Sequence, residues 1–376
     1  AAEELRKLDS AAKITIVSEE LHPLYSRVLL PHYLKGKIPR ERVFLKKESW
    51  YAQQSIEWLP GLSVVALDGV NKFVTLSDRR ELPYDKLLVA TGGNLRTLPA
   101  DKRGVSYLRT LDDADHLDQL LREQQDSARV GIYGGGFIAC EYLNIFAHYS
   151  MPTTITFRGP YFWSKFLEPE PGEFINQHLV KQGVEVKTNA TFVDTLGDQD
   201  VRGFVTTQGT CECSILGVGI GITPEDTWMR EAGLKTGSGI ICDEFLKTDV
   251  ADVYAAGDAA HFFDLHVGRH VAVGNWMNAQ MQGRVVAKNM VGKEQVFSLV
   301  SSYATNALGL EIIFVGDVSR EHASDVKVIG SQKEGGIGQL FSRKGRLIGA
   351  VLLNRNTDRA KITKAIQEGS NFSSTR

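Results

Sequence analysis

A glycine-rich turn, Gly134-Gly135-Gly136-Phe137-Ile138-Ala139, sits in the middle part of this 376-residue chain. The apolar run Val130-Gly131-Ile132-Tyr133 precedes it, and a helical pattern from about Ile138 to Tyr149 follows. A strand, a Gly-x-Gly-x-x-Ala turn and a helix in that order admit few folds. The first glycine permits the tight turn, the second lets a pyrophosphate approach the backbone, and the small third residue lets helix and strand pack closely. Thr153 to Phe157 reads as the second strand, so the segment is a β-α-β unit. Two flanking stretches, Ala90-Thr91-Gly92 and Ala255-Ala256-Gly257-Asp258, also end strand-like runs in small residues. That order predicts one dinucleotide-binding domain inserted into another. Two nucleotide sites facing each other suit hydride transfer between two cofactors.

The predicted class is α/β, with two Rossmann-like domains and a C-terminal α+β domain. Residues 1–108 and 222–296 form the first domain, 109–221 the inserted one, and 297–376 the tail. The beginning reads as helix (Ala1 to Leu8) and then strand (Lys13 to Val17), the second half of a β-α-β unit. A doubly wound sheet places the first strand at its centre, so a strand and glycine loop of about 15 residues are expected ahead of this sequence. Val64 to Leu67 and Phe73 to Leu76 read as paired strands around Asp68-Gly69-Val70-Asn71. Residues 111–126 read as an amphipathic helix with an apolar stripe of Leu111, Ala114, Leu117, Leu120 and Leu121. In the tail, Glu311 to Val315, Gly338 to Phe341 and Leu347 to Leu352 read as strands, and Arg359 to Ile366 as a helix.

Composition excludes several classes. A net charge of −2 offers nothing to nucleic acid or an anionic membrane. No apolar run approaches the roughly 20 residues of a membrane span, and no charged-then-apolar signal segment opens the sequence. Four cysteines are too few for a disulfide scaffold, which points to a reducing cytoplasm.

Individual residues narrow the chemistry. Arg158 stands at the end of the second strand, where an acid usually holds the ribose of NAD; an arginine there pairs with a 2′-phosphate or is simply solvated. The first alternative favours NADPH. Glu19 or Glu20 ends a strand at the matching place in the first domain. Asp258, after Val253 to Gly257, can accept a hydrogen bond from a ribityl hydroxyl. His261, His266 and His270 surround Asp264 in an expected loop, but their spacing fits no zinc pattern. Cys211 and Cys213 share one face of a strand, and Cys140 reads as a small packing residue. Tyr161-Phe162-Trp163 with Phe166 reads as packing or a partner surface, and Lys165 as a second cation beside Arg158.

Several stretches in order are similar to the pyridine-nucleotide-dependent flavoprotein reductases. They are Tyr25-Ser26-Arg27, Ala90-Thr91-Gly92, Gly134 to Glu141, Val218-Gly219-Ile220-Gly221, Thr248 to Asp258, and Trp276-Met277-Asn278-Ala279 through Gln282-Gly283. The branch resembled is that of ferredoxin and rubredoxin reductases, the flavin module of assimilatory nitrite reductases, and apoptosis-inducing factor. The resemblance implies that Glu19 binds the FAD ribose, Arg27 the FAD pyrophosphate or flavin region, and Thr91-Gly92 the backbone near FAD. It implies Asp258 at the ribityl chain and Trp276 beside the flavin ring. Val64 joins the cofactor-binding set, as do Gly134, Gly136, Phe137, Ile138, Arg158 and Gly219. Glu141 matches the acid near the nicotinamide; Glu141 and Trp276 are the candidate catalytic residues. Two departures stand out. His32 occupies a position where relatives often have lysine, and the tail motif near the flavin reads Ser302-Tyr303-Ala304-Thr305-Asn306.

The resemblance therefore implies FAD and NAD(P)H as cofactors, with hydride passing to the flavin. No cysteine follows Arg27 in Val28-Leu29-Leu30-Pro31-His32, which weighs against thiol acceptors. The expected acceptor is a ferredoxin- or rubredoxin-like protein, a quinone or a dye. An NAD(P)H oxidase, a disulfide or peroxide reductase, and a nucleotide-sensing flavoprotein with little turnover are the alternatives. A homodimer fits any of these.

Overall fold

The run Val130–Tyr133 is buried at all four positions, the mark of a strand covered on both faces. In the computed structural model, which describes residues 1–99, 102–123, 128–223 and 227–370, it is the middle strand of a five-stranded parallel sheet. Thr153–Thr156 and then Glu185–Lys187 lie on one side of it, Ile215–Val218 and then Val105–Ser106 on the other. The helices Leu111–Glu123, Phe137–His148 and Pro169–Lys181 pack against these strands. This is the doubly wound, Rossmann-type arrangement expected from the sequence.

The helix Leu111–Glu123 buries the five predicted stripe residues; predicted positions 124–126 lie outside the described residues. Its start is fixed by side chains. The Asp113 carboxylate accepts the amides of Arg109 (3.0 Å) and Thr110 (2.8 Å), and Thr110 Oγ1 accepts the Asp113 amide (3.1 Å), a reciprocal cap. The glycine-turn helix begins at Phe137, one residue before the predicted start, and ends at His148, with Tyr149 as its C-cap.

An antiparallel meander, Phe192–Leu196, Gly203–Thr206 and Gly209–Glu212, of which only the strand bearing Cys211 was expected, precedes the parallel strand Ile215–Val218. It carries Cys211 into a buried cluster with Cys213, Phe204 and Tyr133. Further along, five antiparallel strands run in the order Ser302–Ala307, Leu310–Gly316, Arg346–Leu353, Gly336–Arg343, Asp325–Ser331. The three predicted strands are the three inner ones. The two that sequence reading missed are the edges, whose polar residues alternate or stay half-exposed. A helix, Arg359–Gln367, packs on two of the strands. All of these elements belong to one compact unit made of Arg27–Val43, Leu95–Gly221 and Ser302–Arg376.

The other unit comprises Ala1–Ser26, Phe44–Asn94 and Ile222–Ser301. Ile14–Ser18 pairs in parallel with Ile56–Pro60, and Leu87–Val89 with Val253–Ala255. Among the described residues the two pairs share no ladder. Val64–Asp68, Phe73–Leu76 and Glu81–Pro83 form an antiparallel meander. Asp68 Oδ1 closes its first turn by accepting the amides of Val70 (2.9 Å) and Asn71 (2.8 Å). Asp252, held by Lys72 at 2.5 Å and by Lys86, ties this meander to the Leu87 strand pair.

One expectation is corrected here. His261 and His270 lie on a β-hairpin, Ala260–Asp264 with Arg269–Val271, rather than in a loop, and His266 sits in its turn. The segment reads as loop because its histidines and Asp264 hide a short alternation. Asp264 Oδ1 accepts the amides of His266 (2.7 Å) and Val267 (3.1 Å), so the acid builds the turn.

Candidate functional site

The glycine turn is defined by what touches it. Gly134 has φ +136°, and its amide donates to Thr156 O at 2.9 Å. A Cβ at this residue would fall on the Gly219 carbonyl, 2.6 Å from its carbon, so only glycine fits. Gly219 in turn donates its amide to Tyr133 O at 2.9 Å and faces Ala139, where a Cβ would come within 3.2 Å of the amide nitrogen. Two strand ends and the first turn of a helix therefore meet on bare backbone.

Gly136 is the N-cap of that helix, with φ −139° and ψ −161°. No side chain caps the helix, and no acid lies in its first turn. Phe137, Ile138 and Ala139 thus present uncapped N–H groups at the positive end of a 12-residue helix. Such an end attracts phosphate through both the donors and the helix dipole. Arg158, just past the second strand, is exposed and makes no hydrogen bond or ion pair among the described residues.

One turn into the same helix, Glu141 is largely withdrawn from water. Burial pushes its carboxyl up from the ordinary value, and the charge of Lys35 pulls it part of the way back. The Lys35 ammonium is pushed down, again chiefly by burial, with Glu141 opposing. Both groups have pKa values displaced toward each other, which suits a couple that holds or moves a proton. Glu141 is named as a candidate from the sequence and Lys35 is not; the position where relatives often have a lysine is His32 here. His32 is exposed there, and burial with the charges of Lys35 and Lys37 lowers its pKa. Arg27, in the same unit, is exposed and donates Nε to Arg109 O at 2.9 Å.

The first unit holds the other predicted residues. Glu19 and Glu20 follow the Ile14–Ser18 strand. Glu20 accepts a hydrogen bond from the Tyr25 hydroxyl, whereas Glu19 is exposed and makes no hydrogen bond among the described residues. Thr91 and Gly92 (φ +74°) follow Leu87–Val89, and Asp258 follows the parallel partner Val253–Ala255, so they stand at the same end of one strand pair. Gly274 lies beside Asp258; a Cβ there would come 3.2 Å from Oδ1. Glycine at 274 keeps that carboxylate open. Gln282 Oε1 accepts the Gly257 amide at 2.7 Å, while Gln282 Nε2 and Asn278 Oδ1 are buried without a partner among the described residues. Buried polar atoms are normally paired, so this cradle fits a polyhydroxylated ligand such as FAD. Trp276 opens the adjoining helix and is 52% exposed, not a core residue. Val64 packs its side chain on the unit's hydrophobic core.

The four cysteines are all buried. Desolvation raises every thiol, Cys213 to about 12.

Residues 1–283 match the model of the pyridine nucleotide-disulphide oxidoreductase family. The chain belongs to that family. The chain is 27% identical over 369 residues to the NAD(P)H nitrite reductase of Bacillus subtilis, an alignment taking in 96% of this chain and 45% of that enzyme. It is 30% identical over 294 residues to the rubredoxin-NAD(+) reductase of Pseudomonas putida, covering 77% and 76% of the two chains. The crystal structure of the covalent putidaredoxin reductase–putidaredoxin complex matches with a TM-score of 0.89 at 25% identity, over 98% of this chain and 90% of that one. The chain thus spans less than half of the Bacillus nitrite reductase and most of the rubredoxin reductase. The cofactors of the family are FAD and a pyridine nucleotide. Among the described residues no helix is long and apolar enough to cross a membrane.

Proposed function

We propose that this chain is an FAD-dependent NAD(P)H oxidoreductase that passes electrons to a small redox protein of the ferredoxin or rubredoxin kind. The observation that carries the reading is the glycine turn closed on Gly219, with an uncapped helix start and a withdrawn Glu141 one turn further on. Bound FAD would supply the hydride-accepting centre and release electrons one or two at a time.

The chain's own residues supply binding and orientation. The amides after Gly136 hold the dinucleotide pyrophosphate, with Gly134 and Gly219 shaping the turn. Glu141, backed by Lys35, orients the nicotinamide carboxamide or holds a proton beside it. Glu19 takes an FAD ribose hydroxyl and Asp258 a ribityl hydroxyl. Thr91 and Gly92 offer backbone to FAD, Arg27 meets its pyrophosphate or flavin end, Val64 borders it, and Trp276 covers the flavin ring. The FAD residues fall in 1–108 and 222–296 and the nucleotide residues in 109–221, with 297–376 as a tail domain.

Thiol acceptors are disfavoured, because a buried, protonated cysteine is a poor nucleophile. NADPH is favoured over NADH through Arg158, although the Pseudomonas relative is named for NAD(+). A cytoplasmic location and a homodimer belong to the same reading.

The test is the visible spectrum of the FAD-reconstituted protein and its anaerobic bleaching by NADPH and by NADH. A flavin spectrum bleached faster by NADPH supports the whole reading. Faster bleaching by NADH keeps the reductase and removes Arg158 as a phosphate ligand. A protein that takes up no FAD overturns the proposal. Fast oxygen consumption without an added acceptor replaces the redox-protein acceptor with an oxidase activity.

A further inference from the structure

The loop after the strand Thr153–Thr156 carries Trp163, in the aromatic cluster read from sequence as packing or a partner surface. Its ring is indeed packed, 4.8 Å from Phe162 and 5.1 Å from Phe137 and Phe314, centroid to centroid. The residue is only 6% exposed. Packing does not account for its polar end. Indole Nε1 is a donor only, and a buried tryptophan normally finds an acceptor for it. Among the described residues Trp163 Nε1 donates to nothing, and it is not one of the unpartnered atoms sealed from solvent. It lies 3.8 Å from the point where a Cβ on Gly136 would sit.

That position matters because Gly136 is the glycine over which a pyrophosphate is expected to approach, at an uncapped helix start. The backbone agrees. Trp163 has φ +52°, a left-handed conformation that costs a bulky residue free energy and recurs at ligand clamps. The indole is also held firmly. Phe137, the first residue of the helix, is wedged among Trp163, Tyr303 and Phe314, and the last two rings stack at 5.2 Å. A donor fixed in place before the ligand arrives loses little entropy on binding.

We propose that Trp163 is a dinucleotide-binding residue whose indole N–H donates a hydrogen bond to the pyrophosphate of the bound pyridine nucleotide, alongside the amides after Gly136. This rests on the functional reading above, and it adds a ligand residue outside the glycine turn.

The experiment compares Trp163→Phe with the unaltered chain in binding ADP-ribose, NAD+ and adenosine by calorimetry. Phenylalanine keeps a ring in the cluster and removes only the donor. Hydrogen bonds to charged groups contribute enough that ADP-ribose and NAD+ should bind the variant about tenfold more weakly or worse. Adenosine, which has no phosphate, should bind both proteins alike. Equal affinities of the two proteins for ADP-ribose overturn the assignment and leave the functional reading intact. Failure of the unaltered chain to bind NAD+ or ADP-ribose overturns both. If the variant does not fold, the indole N–H resonance of Trp163 in the unaltered chain decides, assigned by replacing the other four tryptophans one at a time. ADP-ribose should move it downfield, and a resonance that stays in place removes Trp163 from the site.

Discussion

Alanine at two glycines of one motif should separate folding from binding. At Gly134 the backbone has φ +136°, a region open essentially to glycine alone. Forcing a side chain into such a conformation costs about 1–3 kcal/mol. The new Cβ would also lie 2.6 Å from the Gly219 carbonyl carbon, and neither backbone has a flexible end to move aside. Overpacking of this kind adds about 1–3 kcal/mol. Gly134→Ala should therefore lose about 2–6 kcal/mol, which in a unit of roughly 200 residues lowers Tm by about 5–20 °C. Gly136 has an ordinary extended conformation, and its Cβ would meet only Trp163 Nε1 at 3.8 Å. Gly136→Ala should change stability by less than about 1 kcal/mol, yet its methyl group occupies the path of the pyrophosphate. The assay is thermal unfolding by circular dichroism together with NAD+ binding by calorimetry. Expected are a destabilised Gly134→Ala and a Gly136→Ala that melts like the parent but binds NAD+ at least tenfold more weakly. A Gly134→Ala protein melting within 2 °C of the parent would refute the steric argument. Full-strength NAD+ binding by Gly136→Ala would refute the proposed ligand path.

Three further outcomes follow from the site. Because the Glu141 carboxyl is raised in the folded state, the folded protein keeps a proton that the unfolded chain has released, so its stability falls as pH rises from the ordinary glutamate value through the raised one. Glu141→Gln should thus gain Tm relative to the parent as pH goes from about 4.5 to 8, and a gain that shrinks over that range would contradict the burial argument. Removing the cation in Lys35→Met should raise the Glu141 carboxyl further, moving the pH at which nicotinamide-dependent flavin bleaching changes upward; an unmoved pH profile would separate the two residues. A thiol reagent should label none of the four cysteines of the native protein within minutes and all four in denaturant, whereas one fast native thiol would reopen a thiol acceptor route.

How much was legible depended on whether the signal was local. Val130–Tyr133 and Leu347 to Leu352 could be read because strands covered on both faces are apolar throughout. The helix stripe from Leu111 to Leu121 was readable for the same reason at a different period. Glu141 was found because its distance from the glycine turn is fixed along one helix. Lys35 was not, because its approach to Glu141 depends on tertiary packing, including a hydrogen bond from Tyr149 Oη to Leu34 O at 2.7 Å, 115 positions away in sequence. Trp163 was seen but read as packing or a partner surface, since ring burial is visible in an aromatic run while the direction of one N–H is not. The glycines of the motif gave the turn, but that Gly134 closes on Gly219 belongs only to the folded chain.

The antiparallel sheet near the C-terminus has a colloidal consequence. Its inner strands, Leu310–Gly316 and Arg346–Leu353, are nearly all buried and rich in isoleucine, leucine and valine. Exposed on another molecule's open ladder, such segments would recruit copies of themselves. The two edge strands of the sheet carry Asn306, Thr305, Asp325 and Lys327 instead. Charge and polarity at a sheet's rim disfavour pairing with a stray strand. The same residues that concealed these two strands from sequence reading therefore act against edge-to-edge pairing of a strongly apolar interior.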